Sequence, residues 1–201
     1  MKINWLLFTL FLVKFSVFAQ LQLHQWDDSY YDKYTYRTFK QLSVVQQKID
    51  PDNIDYKLLN AAIFYRTNEE RFHNGEKQFI HSSALEKSAF DFSKDMVDYD
   101  FYSHDSPIKG RETLSTRVKL VGINYSLCAE NIYDYNSRNP TYWSIAEQLV
   151  AGWMRSPGHR RNLLNINLNY LGCGAVHYIN KDIPSYFWVK STQDFSDQDA
   201  K

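Results

Sequence analysis

Three side chains of this 201-residue sequence combine the chemistry of a metal site with that of a proton-transfer site. His104 and His159 each lie beside serine or glycine in a loop that directly follows a predicted helix, and Glu130 begins a hydrophobic stretch. Two imidazoles and one carboxylate form a catalytic zinc site when one coordination position stays open. The same groups can move protons without a metal because histidine titrates near neutral pH. Their spacings, 26 and 29 residues, do not distinguish the two interpretations.

No serine in the sequence is a convincing nucleophile. Ser103 and Ser156 each neighbour a candidate histidine, but adjacency along the chain is not the geometry that joins a base to a nucleophile. We therefore expect no firm catalytic residue, and the residues favour a protein that is not an enzyme. The other histidines carry no partner pattern and are interpreted as structural: His24, His73, His81 and His177.

Three amphipathic helices are predicted to position these residues. The first covers 54–73 and stops at an Asn-Gly pair. The second begins after Ser82 or Ser83, with Glu86 placed for a capping box. Its buried face is predicted to hold Leu85, Ala89, Phe92, Met96 and Tyr99. The third begins at Asn139-Pro140 and is broken at Ser156-Pro157-Gly158.

The C-terminal part of the sequence has the pattern of strands. Residues 172–178 and 186–192 are apolar and β-branched stretches joined by a turn, which predicts an antiparallel hairpin. A third strand is expected around 130–133. Because helices come first and strands last, the pattern predicts an α+β layered domain.

The N-terminus has the features of a signal peptide. Lys2 precedes an apolar stretch from Trp5 to Phe18, and Ala19 offers a cleavage site. Lys14 interrupts this stretch, which is shorter than the roughly 20 residues of a membrane span. We predict cleavage after Ala19, a secreted or periplasmic protein, and no transmembrane segment after signal removal.

Composition limits the partners. The chain has 23 basic and 23 acidic residues, so we expect no nucleic-acid partner. After the signal peptide, we predict a tyrosine-rich lead-in segment at 20–54, a domain at 55–195 and a tail at 196–201. Cys128 and Cys173 are the only cysteines. Export permits a disulfide between them, and two buried free thiols are the alternative.

Several motifs follow one another in the order found in the CAP superfamily, also called the SCP domain. They cover roughly residues 55–195, and they resemble the short bacterial branch of that family. The segments that carry the resemblance are Asn68–Arg71, Ser93–Met96, Phe101–Pro107, Ala129–Ile132, Trp153–Arg160, Asn162–Leu164, Gly172–Gly174 and Thr192–Phe195.

The resemblance implies a three-layer α-β-α sandwich with a small antiparallel sheet. It also implies a cleft in which two histidines and two acids converge, sometimes around zinc or another divalent ion. His104 and His159 match the histidines and Glu130 matches the first acid, while Ser156 stands where the second acid is expected. Glu147 is not expected to replace that acid. We interpret Asn131 and Arg160 as residues that shape the cleft.

From these residues we expect an exported protein that binds a ligand or partner through the cleft. The ligand is unknown, with a lipid or a cell-envelope component as candidates. One alternative is a metal-assisted hydrolase in which Glu130 or a histidine activates water. The other is a structural cell-envelope module whose tyrosine-rich residues 20–53 meet a partner.

Overall fold

A computed structural model of the chain describes residues 26–200. The predicted signal peptide, its cleavage site and His24 lie outside these residues. Six helices pack around one four-stranded sheet, which confirms the predicted α+β class. The helices are α1 (Tyr36–Phe39), α2 (Tyr56–His73), α3 (Ser83–Asp98), α4 (Leu114–Leu120), α5 (Tyr142–Arg155) and α6 (Pro157–Leu163). The strands are β1 (Ile80–His81), β2 (Cys128–Ser137), β3 (Tyr170–Tyr178) and β4 (Phe187–Ser196).

The strands are arranged in the order β1-β3-β4-β2. The predicted hairpin is present as β3 and β4, which pair antiparallel, and β4 pairs antiparallel with β2 on its other side. The two-residue β1 runs parallel to β3, so the small sheet is mixed and not purely antiparallel. This order makes β2 one outer edge of the sheet and β1 the other.

Side-chain alternation along β3 builds the two helical layers, because successive residues of a strand point to opposite faces. Gly172 and Gly174 face α3, where their missing β-carbons let the helix backbone approach closely. Cys173 and Ala175 point the other way, into the large core that α2 and α5 share with the sheet. The result is the expected α-β-α sandwich.

Helix ends differ from the sequence prediction in local detail. Ser82 caps α3 by accepting a hydrogen bond from the Leu85 amide, while Glu86 lies inside the protein and forms no capping box. Tyr99 comes just after the helix and is exposed, not part of its buried face. The third predicted helix starts two residues late, because Thr141 caps α5 and Pro140 precedes the cap.

The lead-in segment packs its apolar side chains onto the domain. Trp26, Phe39 and Val45 are buried and belong to the main core. The described part of this segment, residues 26–54, contains α1 and two short 3₁₀ turns and no strand of the sheet, so side-chain packing holds it more than sheet hydrogen bonds do. The boundaries predicted at residues 54 and 195 stay predictions. Among residues 26–200, none of the helices has the length and apolar composition needed to cross a bilayer.

The predicted disulfide is not formed, because Cys128 and Cys173 are both free cysteines. Cys128 lies on β2 and Cys173 on β3, and β4 runs between these two strands. Neighbouring strands are about 4.8 Å apart, so the two cysteines are separated by about 10 Å or more. A disulfide needs its two Cα atoms within about 7 Å. The structure instead has two free thiols, which was the alternative prediction, and the Cys173 thiol is buried.

Candidate functional site

Glu130 is a buried carboxylate on the outer strand of the sheet. It lies on β2 opposite Asp194 of β4, and 7% of its surface is exposed. One carboxylate oxygen accepts a hydrogen bond from Arg117 Nη2 at 2.6 Å, and the other lies 2.7 Å from His104 Nδ1. Both oxygens of Glu130 are therefore engaged by cationic or hydrogen-bond-donating groups.

Arg117 of α4 is the main partner of Glu130, and the sequence analysis missed it. Its guanidinium is buried, lies 3.5 Å from the centre of the Phe92 ring, and also donates to the backbone carbonyl of His104. One arginine thus fixes the Glu130 carboxylate and the loop that carries His104. The signal in the sequence was an arginine on the apolar face of a helix, since Leu114 lies three residues before it and Val121 four residues after it.

The loop that carries His104 runs between α3 and α4 and is attached at its start by Lys190. This lysine is 5% exposed, and its ammonium donates to the carbonyls of Met96 and Phe101, each at 2.9 Å. Because Lys190 lies on the central strand β4, the sheet itself sets the position of the loop. The His104 side chain is half-exposed at the end of this support.

His159 lies on a helix, not in the predicted loop. Pro157 occupies the first position of α6, so His159 is in its first turn. Asn131 of β2 donates to the His159 carbonyl at 3.2 Å, and Asn162 donates to the Asn131 side chain and to the Glu130 carbonyl. The two asparagines therefore join α6 to the outer edge of β2, next to Glu130.

The Asn131 network continues into the core. Its amide also donates to Gln193 of β4, and Gln193 donates to Thr67 of α2 at 2.7 Å. Asn131 and Gln193 are fully buried, which makes an unpaired partner costly. The interpretation of Asn131 as a cleft-shaping residue fits these contacts.

Three other predicted positions are peripheral in this arrangement. Ser156 joins α5 to α6, and its amide donates to the Trp153 carbonyl. Arg160 is exposed and reaches Asn74 at 3.4 Å, away from Glu130. Glu147 is exposed and accepts from Trp143 on its own helix at 2.8 Å, so it does not supply the second acid.

The pKa values of the two histidines are shifted in opposite directions by their surroundings. The hydrogen bond to Glu130 raises the pKa of His104, although burial and the Arg117 charge act against this. Burial lowers the pKa of His159, and the charge of His104 lowers it further. Burial together with Glu130 raises the pKa of Asp194 well above its ordinary value. At a given pH, His104 is therefore charged in a larger fraction of molecules than His159.

A titration of the two imidazoles by NMR measures this difference in pKa. We expect His104 to titrate above the ordinary value of about 6.5 and His159 below it. Because the folded-state pKa of His104 is raised, its pairing with Glu130 stabilises the protein fully below about pH 6.5 and is lost as the pH rises through the raised pKa. In Glu130→Gln the pKa of His104 is expected to fall. Equal pKa values for the two histidines would contradict this description.

The groups around Glu130 bear on the predicted divalent ion. Arg117 and His104 take both oxygens of Glu130, and a buried arginine beside the carboxylate repels a cation. Within the described part of the chain, no group of three or more His, Cys, Asp or Glu side chains is arranged to hold a metal ion. In this arrangement the three residues do not fit a three-ligand metal site. The divalent ion therefore stays a prediction.

The fold and the site define a class of protein: an α-β-α sandwich in which a buried glutamate is paired with an imidazole and an arginine at the outer edge of the sheet. Residues 64–190 match the family model for the cysteine-rich secretory protein family, CAP. The chain therefore belongs to the CAP family.

Three bacterial proteins are similar to the chain. It is 37% identical to the YkwD protein of Bacillus subtilis (strain 168) over 110 residues, which is 55% of this chain and 39% of YkwD. Its fold matches an extracellular SCP-domain protein from Bacillus anthracis with a TM-score of 0.56 and 29% identity, covering 74% of this chain and 44% of that one. An outer surface protein from Borrelia burgdorferi shares the fold, with a TM-score of 0.56 and 17% identity over 74% of this chain and 97% of its own. The chain thus spans less than half the length of the two Bacillus proteins.

Proposed function

We propose that the chain is an exported CAP protein that binds a ligand or partner through His104, Glu130 and His159. The observation that carries the proposal is the full engagement of the Glu130 carboxylate by Arg117 and His104. A carboxylate held in this way fixes a charged imidazole at the surface, and it is not free to activate water. A hydrolase in which Glu130 is the base needs a free carboxylate, so the geometry supports binding better than that form of the hydrolase.

The chemistry of the site indicates which ligand groups it would take. A charged His104 donates hydrogen bonds, and its side chain is 54% exposed. A neutral His159 adds one further N–H donor. Both favour a ligand that accepts hydrogen bonds and carries negative charge, such as the phosphate of a lipid headgroup. Export is supported by the predicted signal peptide and by the extracellular description of the Bacillus anthracis relative.

Co-sedimentation with phosphatidylglycerol vesicles tests this proposal. We expect the mature chain to bind these vesicles and to bind neutral phosphatidylcholine vesicles less. His104→Ala with His159→Ala is expected to weaken vesicle binding about tenfold or more, since each charged hydrogen bond contributes about 1.5 kcal/mol or more. His73→Ala, an exposed histidine at the end of α2, is the matched control and is expected to bind as the wild type does.

Unchanged binding of the double variant, or no binding by either protein, would contradict the proposal. Zinc analysis of the same samples is made in parallel. Stoichiometric zinc in the wild type that disappears from the double variant would favour the hydrolase alternative, and chelator-sensitive activity would then have to follow.

A further inference from the structure

A second imidazole–carboxylate pair lies at the opposite edge of the sheet from Glu130. His81 belongs to β1, and Glu86 is in the first turn of α3 with 7% of its surface exposed. His81 Nε2 lies 2.7 Å from Glu86 Oε2, and the Asn60 amide donates to Glu86 Oε1 at 3.4 Å. Asn60 is itself held by the amide of Ala175 on β3. His81, which was interpreted as structural, thus has a carboxylate partner that no local sequence pattern indicated.

The third partner of Glu86 comes from the lead-in segment. The Tyr31 hydroxyl donates to Glu86 Oε2 at 2.9 Å, although 55 positions separate the two residues in the sequence. The Tyr31 ring lies parallel to the His81 imidazole, with ring centres 3.5 Å apart and planes 7° apart. Phe64 meets the same ring edge-on at 5.1 Å. The Tyr31 phenol thus stacks on His81, packs against Phe64 at a steep angle and donates a hydrogen bond from its hydroxyl to Glu86.

Two cavities lie next to the residues that surround this phenol, and Tyr31 itself lines one of them. One of about 230 Å³ is lined in part by Asn60 and Glu86. Another of about 320 Å³ is lined in part by Tyr31, His81 and Phe64. Asp28 lines both, and the Tyr31–Glu86 hydrogen bond joins a wall of one cavity to a wall of the other. Withdrawal of the Tyr31 side chain would therefore open a larger space with Glu86 and His81 in it.

We propose that Glu86, His81 and Asn60 form a second ligand site, for a para-substituted phenol, and that the chain's own Tyr31 occupies it. The selectivity follows from the contacts. Stacking on His81 serves any flat ring, whereas a phenol hydroxyl also donates the hydrogen bond that the buried Glu86 carboxylate accepts from Tyr31, which a ring without a donor cannot do. The site shares no residue with the His104 site, so its test is independent of vesicle binding.

Replacement of Tyr31 by alanine in the mature chain provides the test, with p-cresol and toluene as probes. At about 5 mM, p-cresol is expected to raise the Tm of Tyr31→Ala by about 3 °C, and toluene by much less. Wild type, whose site is filled, and Tyr34→Ala are expected to show no such preference. Tyr34 is the matched control because it packs on Trp26 in the same segment but is not a partner of Glu86.

A second variant identifies the acceptor. In Tyr31→Ala with Glu86→Met, p-cresol and toluene are expected to raise the Tm equally, because the carboxylate is gone. Equal effects of both probes on Tyr31→Ala itself, or no effect of either, would overturn the proposal. If Tyr31→Ala does not fold alone, refolding from urea with each probe makes the same comparison. Recovery with p-cresol only supports the site, and equal recovery or none overturns it.

Discussion

Gly172→Ala is expected to destabilise the protein by more than about 3 kcal/mol, because overpacking at a backbone contact exceeds the usual cost of an added methyl group. A β-carbon at this position would lie 1.9 Å from the Glu86 amide nitrogen and 2.1 Å from the Leu85 carbonyl carbon. Both are backbone atoms of α3, so no side-chain rotation relieves the clash. Urea unfolding followed by circular dichroism measures the loss.

The matched control for this substitution is Gly158→Ala. A β-carbon at Gly158 meets nothing within 4 Å, and this glycine is in α6 without a positive φ. Alanine at such a helical position is expected to leave the free energy of unfolding unchanged or to raise it by about 0.5–1 kcal/mol. A loss below about 1 kcal/mol in Gly172→Ala would show that α3 moves away from β3 without cost and would contradict the close approach as a requirement of the fold.

Arg117→Met is expected to destabilise the protein by about 3–5 kcal/mol, the usual effect of removing one partner of a buried ion pair. Both side chains of the Arg117–Glu130 pair are 3% exposed. Without the guanidinium, the Glu130 carboxylate keeps only His104, and the His104 carbonyl loses a donor. We therefore also expect faster proteolysis of the loop at residues 99–113. Thermal unfolding and limited proteolysis measure the two effects.

Two further variants distinguish the loss of the buried ion pair from a nonspecific loss of stability. Arg161→Met replaces an exposed arginine of α6 and is expected to change the free energy of unfolding by less than about 0.5 kcal/mol. Arg117→Met with Glu130→Gln removes the buried charge as well and is expected to recover part of the stability lost in Arg117→Met. A double variant that is less stable than Arg117→Met would argue against an uncompensated carboxylate as the cause.

Local patterns in the sequence predicted the three long helices and the hairpin of this fold. The apolar spacing of Leu85, Ala89, Phe92 and Met96 predicted α3, and all four side chains are buried in the structure. Two strand-like stretches joined by a turn predicted the β3–β4 hairpin, which is present. These signals work because helix and hairpin patterns repeat over a few residues and depend on the nearest turn of the chain. The order of the motifs was enough to indicate the CAP family.

Tertiary structure alone decided which distant groups meet. The strand order placed β4 between Cys128 and Cys173 and so prevented the disulfide that export would permit. The packing of α4 brought Arg117 onto Glu130, and the lead-in segment brought Tyr31 onto Glu86, across 13 and 55 positions of sequence. The sequence alone thus determined the long helices, the hairpin, the family and the candidate residues His104, Glu130 and His159. The partners of these residues depend on which side chains the packed layers bury together, and the charge of the site depends on those partners. A local sequence pattern does not contain this information because the partners are distant along the chain.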